Sequence, residues 1–422
     1  MLLRSVHITD PDSPFHRKTV DVRVVAGQIT EVGKSLEAAA DETVFAREHA
    51  RLSPGFVDIG AYLGDPGHEE REDIQSLIAS ARAGGYVAVA VLPNTSPVRQ
   101  TVADMAYLNA RSQTGEVDLL PLAALSHETK GSDLTEMMEL NEAGAIAFTD
   151  GPGRSLAGSL LKRGLEYAKG FGGLVMDSPY DSDLAEDGQM HEGKHSVQLG
   201  LQGIPTICET IPLRRALSIL TYTEGRLLLH LVSSAESLEL IRAYGLSPER
   251  LIGCTVGAHH LSFTDEELSD FNPNFKVMPP LRSASDREAL RRGVLDGTIT
   301  AIVSHHRARH GEEKDLEFSY AAFGALGLET AFRQQLSWVD GEDDIDRVVA
   351  ALTSGPRRLL GLEPVRIAVG MPASLTLFTT AGSARFTAGD LQGKTRNSPL
   401  IGRELPGRIL ATINHDRLWT SA

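Results

Sequence analysis

The chain holds two cysteines in 422 residues, Cys208 and Cys254, and no Cys-x-x-Cys pair. That scarcity excludes a disulfide framework and a cysteine zinc site, and it suits a reducing compartment. Long apolar runs are missing as well: none approaches the ~18 residues that a membrane-crossing helix needs. The opening MLLRSVHITD lacks the basic flank, long apolar stretch and small-residue cleavage site of a secretory leader, so a cytoplasmic protein is expected. Positive charge is in deficit. Lys+Arg 41 against Asp+Glu 56 gives a formal net charge of -15, the wrong sign for general binding of nucleic acid or an anionic membrane. Low-complexity tracts and internal repeats, beyond a strand–helix alternation, are also lacking. What is present is a globular composition, 41% hydrophobic and 23% charged, in a chain long enough for one large barrel with an accessory domain. There are also fourteen histidines, and their placement decides the functional reading.

Near the start, Val20-Asp21-Val22-Arg23-Val24-Val25, a turn at Ala26-Gly27 and Gln28 to Val32 alternate as antiparallel strands do. From Pro54 the pattern changes to nearly continuous apolar runs, most followed by a helical segment that stops near glycine. The runs are Phe56 to Leu63, Tyr86 to Leu92, Val117 to Leu125, Ala145 to Phe148, Gly173 to Met176, Arg226 to Val232, Leu251 to Val256 and Thr298 to Val303. Continuous rather than alternating runs are what parallel strands buried on both faces require, and eight of them suit a (β/α)8 TIM barrel. Left-handed stops are expected at Gly84-Gly85, Gly144, Gly170 with Gly172, Gly225, Gly245 and Gly297, and capping boxes at Thr264 with Glu267 and Ser285 with Glu288. Past residue 360 short β-like pieces return, Ser374 to Phe378 and Ile409 to Ile413. The expected organisation is a small β-sandwich domain built from residues 1–53 and 360–422 around a barrel of residues 54–359.

Reactive groups of such a barrel lie at the C-terminal ends of its strands. Those positions hold Gly60, Tyr62, Asn94, His127, Asp150, Ser178, Leu231, Ser233, His259, His260, Ser304, His305 and His306. The segments PGFVDIGAYLGDPG, LPNTSPV, AGAIAFTDG, LAEDGQMHEGKHSVQLGLQGIP, NFKVMPPLRS, FGALGLET and NSPLIG resemble those of dihydroorotases, metal-dependent barrel enzymes of the amidohydrolase type, in order from Pro54 to Gly402. The resemblance implies the same barrel with a β-domain from both termini, and it names the ligand positions. The His-x-His pair of the first strand falls on Gly60 and Tyr62, the third histidine on Ser178, the fourth on Leu231, and the aspartate serving as general base on His305. Asp150 alone keeps a ligand-type side chain. One carboxylate does not fix a catalytic zinc, which takes three protein ligands and an open site for water, so no metal or other cofactor and no catalytic residue is expected. His230 adjoins the fourth position, but neighbours on a strand face opposite ways, so it is not expected to substitute. The substrate-holding arginine falls on Gly64 and an asparagine on Met278, while Asn94 matches, which leaves a vestigial pocket.

Other motifs are weaker. His305-His306-x-x-x-His310, with Asp150, offers the donors for a rebuilt metal site. His191-Glu192-Gly193-Lys194-His195 matches His-Glu-x-x-His, yet a central glycine weakens the helix that this motif needs, and a surface loop capping the next helix is expected. Gly151-Pro152-Gly153-Arg154-Ser155 lacks the Walker lysine pattern and reads as a loop-to-helix turn. His259-His260 read as packing residues. The resemblance is closest to non-catalytic dihydroorotase homologues and implies a role in pyrimidine biosynthesis. There the inactive barrel assembles with the aspartate carbamoyltransferase catalytic chain in a hetero-oligomer. The alternative is an active cyclic-amide hydrolase with a rebuilt metal site, and a third reading is a small-molecule sensor at the mouth near Asn94 and Asp150.

Overall fold

All eight apolar runs form parallel strands in the computed structural model, which describes residues 1–112, 115–247 and 249–421. Residue 422, the end of the expected C-terminal segment, lies outside the described residues. The strands, Phe56–Ala61, Tyr86–Val91, Asp118–Ala123, Ala147–Phe148, Val175–Asp177, Leu227–Leu229, Leu251–Gly257 and Ala301–Val303, pair in chain order. The run is continuously apolar because both faces are covered. Val57, Ile59, Ala88, Ala90, Leu122, Met176, Leu228 and Val303 fill the lumen. Their neighbours Phe56, Tyr86, Val89, Val91, Val175, Leu227 and Leu229 meet the surrounding helices. Each buried Val or Leu side chain contributes roughly 1.5–3 kcal/mol over its exposed state.

The eighth strand returns to the first through a buried carboxylate. Asp58 accepts from the Ser304 backbone N–H and from its hydroxyl, both at 2.6 Å, and the Tyr62 N–H donates to the His306 carbonyl at 3.0 Å. The two ends of the chain build a second, eight-stranded sheet. Leu375–Arg385 pairs antiparallel with Arg51–Pro54 on one side and with Glu404–Asn414 on the other, and Leu2–Ile8, Thr19–Val25 and Gln28–Gly33 complete it toward the other edge. Leu3, Val6, Val22, Leu52, Leu375, Leu377 and Ile413 form its own core. The fold is therefore the expected barrel with a terminal β-domain. Among the described residues, no helix is long and apolar enough to cross a membrane.

Several helix ends depart from the expected stops and caps. Gly85, Gly144, Gly172 and Gly297 take positive φ, but Gly84 and Gly170 are right-handed, and the helix before Gly225 ends on Glu224 at φ 54. Gly245 has φ 86 with an extended ψ of 139, so it leaves the helix directly into extended chain. The cap expected at Ser285 sits two residues earlier: Ser283 accepts from the Asp286 N–H at 3.2 Å, and the helix starts at Ala284. Thr264 precedes only a 3-10 turn and makes no side-chain cap.

Candidate functional site

The first strand ends in a bulge. Gly60 lies at φ 85, and a Cβ built on it would stand 2.5 Å from Nε2 of His230. His230 therefore faces the lumen, contrary to the expectation that it turns away. Parity with Leu228 carries it inward, and Leu231, at φ 60, bends back so that its side chain also packs into the lumen cluster. The Leu231 N–H donates to Thr255 Oγ1 at 2.9 Å, so the Thr255 hydroxyl can donate to His230 Nδ1, also at 2.9 Å. The ring hydrogen then resides on Nε2, which has no partner, and burial holds the imidazole neutral, its pKa down at about 3.

The remaining positions are equally unlike a metal centre. Tyr62 packs against the same lumen cluster, and the Arg307 guanidinium lies over its ring at 4.1 Å. Ser178 is buried with its hydroxyl unpartnered. His305, at φ 54, donates from Nε2 to the Met278 carbonyl at 2.9 Å, and His260 donates from Nε2 to the Pro279 carbonyl at 2.9 Å. Their rings sit 5.6 Å apart, and neither Nδ1 has a partner. Two imidazole nitrogens, a serine, a leucine and a glycine fall short of three zinc ligands. Among the described residues, no group of three His, Cys, Asp or Glu is placed to hold a metal ion. The donor set does not fit the zinc that the barrel type implies.

The rebuilt-site residues are not brought together. His306 gives Nε2 to Glu72 at 2.9 Å, and its Nδ1 accepts from the Gly327 and Leu328 N–H groups. Burial, the largest single cause, pushes the His306 pKa down, but the Glu72 charge and hydrogen bond, with the Glu329 and Asp58 charges, together outweigh it and raise the pKa. His310 is exposed and caps the short helix Gly311–Lys314. Asp150 accepts from the Ser126 N–H at 2.8 Å and its hydroxyl at 2.6 Å, and burial raises its pKa. His191 and His195 likewise diverge: His191 ends a two-residue strand against Arg282, while His195, in the helix Lys194–Leu199 that Gly193 precedes, pairs with Asp265 at 3.1 Å. His259 is held between Gln334 and the Leu326 carbonyl, each at 3.1 Å, as a packing residue would be. His127 opens an exposed turn, and Ser233 donates to Glu209.

At the mouth, Asn94 donates to the Asp150 carbonyl at 2.9 Å and leaves Oδ1 without a partner. Gly64 explains its own lack of a side chain, since a Cβ would collide with the carbonyl oxygens of His68 and Glu72. Met278 lines a cavity of about 440 Å³ with Asp150, Arg154, Tyr180 and Arg307. Gly151 to Ser155 wall that cavity ahead of the helix Gly158–Lys169.

Sequence reasoning passed over several buried charged residues. Arg282 and Glu209 are 2% and 1% exposed, and Arg282 donates to Ser233 Oγ and the Ile204 carbonyl. Asp177 accepts from Ser155 and the Leu156 N–H, with burial pushing its pKa up to about 6. Arg307 lies inside a run read only for its histidines. The one available signal was a charge set beside apolar residues, as in Met176-Asp177 at a strand end and Leu281-Arg282 in a loop.

A family model described as dihydro-orotase-like matches residues 50–237. A dihydroorotase of Geotalea daltonii is 34% identical over 98% of this chain and 97% of its own length, and one of Acetivibrio thermocellus is 35% identical over 98% and 97%. The L-hydantoinase (dihydropyrimidinase) of Arthrobacter aurescens superposes with a TM-score of 0.86 over 100% of this chain and 96% of that one, at 20% identity, a likeness of fold. With a third of its residues shared along nearly its whole length, on a barrel of the same type, the chain belongs to the dihydroorotase family.

Proposed function

We propose that this chain is a non-catalytic, cytoplasmic dihydroorotase-like subunit of pyrimidine biosynthesis, acting as a structural and regulatory partner of the aspartate carbamoyltransferase catalytic chain. The observation that carries the loss of catalysis is the filling of the zinc positions. Leu231 and Tyr62 belong to the apolar lumen packing, and the His230 ring takes the volume a side chain at Gly60 would need. Without a bound metal there is no water of lowered pKa and no polarised amide carbonyl for opening or closing a cyclic amide. A barrel kept intact around such a mouth retains its surface, which is ample for a standard interface of ~1,600 Å².

The test is co-expression with the cognate carbamoyltransferase chain followed by gel filtration. A shared complex of fixed ratio supports the reading, and separate elution of two folded proteins overturns the partnership. The opposing reading, an active cyclic-amide hydrolase, draws on relatives that are themselves named dihydroorotases. It requires stoichiometric metal and turnover by the purified chain.

A further inference from the structure

Two cavities meet at the mouth of the barrel, one of about 440 Å³ and one of about 250 Å³, and Pro152 and Arg307 line both. Arg307 is held in place there. Its guanidinium lies over the Tyr62 ring at 4.1 Å, and its stem runs against Gly324, where a Cβ would stand 2.9 Å from Arg307 Cδ. A guanidinium stacked on a ring keeps its in-plane N–H donors free. Those of Arg307 have no acceptor, since this part-exposed side chain makes no hydrogen bond or ion pair among the described residues.

A second positive wall faces the larger cavity. Arg154, exposed in the turn after the fourth strand, lines it and forms no ion pair among the described residues. Just beyond, the helix Gly158–Lys169 starts at Ala157, which lines the same cavity, and no side chain caps it. A helix of this length carries about half a positive charge at its start, and its free N–H groups bind oxyanions. The acids that line the two cavities are already engaged. Asp150 accepts from Ser126 with both oxygens, and although it feels the Arg154 charge it makes no ion pair with it, while Glu72 is held by His306. Arg71 and Arg309 share Glu313, so Arg154 and Arg307 are left unneutralised. The excess is felt nearby: burial, and after it the Arg307 charge, hold the Arg309 pKa down at about 10.

We propose that the mouth binds a phosphate monoester with an aromatic body. The phosphate takes charge-assisted hydrogen bonds from Arg307 and Arg154 and sits at the uncapped start of the helix Gly158–Lys169. Two guanidiniums and a helix end exceed what one carboxylate neutralises, and a dianion balances them. The ring packs on Tyr180, Met278 and Phe323, which line the same cavity. The proposal goes beyond the function proposed above and does not depend on the partner.

Calorimetric titration and thermal unfolding of the full chain with phenyl phosphate, phenyl sulfate and inorganic phosphate test it. Phenyl phosphate should bind with one-to-one stoichiometry and raise Tm. Phenyl sulfate, which keeps the ring with one charge fewer, and inorganic phosphate, which lacks the ring, should each bind at least about tenfold more weakly. Arg307→Gln should weaken phenyl phosphate binding about tenfold or more. Ala157→Asp supplies the missing cap, so it should raise the Tm of the free chain while weakening phenyl phosphate about tenfold, because its carboxylate takes the place of the phosphate. Arg358→Gln, exposed in the helix Ser354–Leu360 and lining neither mouth cavity, should leave the affinity unchanged. No binding of phenyl phosphate, equal binding of either comparison anion, an affinity untouched by Arg307→Gln or by Ala157→Asp, or an equal loss with Arg358→Gln would overturn the proposal.

Discussion

At the scale of single residues, Gly60 and His230 form a complementary pair: the imidazole occupies the space that the missing side chain vacates. Gly60→Ala should therefore cost ~2–4 kcal/mol, combining overpacking of ~1–3 kcal/mol with a positive φ unsuited to alanine. In a His230→Ala background the same substitution should cost distinctly less. Urea unfolding midpoints of the four proteins measure this, and equal costs in both backgrounds would show that the ring is not the obstacle. His260 gives a pH-dependent counterpart. Burial pushes His259 and His260 each down to about 4, against about 6.5 in the unfolded chain. Between pH 6.5 and 4 the unfolded chain thus binds more protons, so these groups withdraw stability as pH falls through that window, on the order of 3 kcal/mol each. Asp177, raised to about 6, acts with the opposite sign, so the difference between proteins is the informative quantity. His260→Gln, which can still donate to the Pro279 carbonyl, should flatten the loss of stability between pH 6.5 and 4. An unchanged slope would contradict the assignment.

At the scale of elements, the site is held by buried charges that bridge strand ends to loops. Arg282, after Pro279-Pro280, reaches Ser233 beyond the sixth strand, the Ile204 carbonyl of a short two-residue strand, and Glu209 at 3.6 Å. Arg282→Ala should cost ~3–5 kcal/mol because Glu209 is then buried unpaired, while Arg282→Met combined with Glu209→Leu should cost much less. Denaturant midpoints decide, and a double variant as weak as the single one would show that the network is not a pairing of charges. These bridges were not legible in the sequence. A run such as Arg226 to Val232 announces a buried strand, since apolar continuity follows from two covered faces. Which residue faces the lumen at its end depends on whether a single φ turns positive, as at Leu231, and no residue type signals that. The same holds for Ser283 and Ser285: either can cap, and the chain uses the earlier one.

At the scale of the whole molecule, the two termini share one sheet and the barrel closes through Asp58 and Ser304. The barrel and its terminal sheet were legible because eight apolar runs and two alternating ends leave few other arrangements. The expected ligand positions rest on the family resemblance alone, since Gly60 and Leu231 count as substitutions only against it. The central claim is that this barrel does not perform its family's metal-dependent chemistry. The most direct measurement is dihydroorotate formation and hydrolysis by the purified, folded chain, with and without added zinc and with bound metal quantified on the same sample. The account predicts no turnover above the enzyme-free control and no stoichiometric zinc; turnover that rises with one or two bound zinc ions per chain would contradict it.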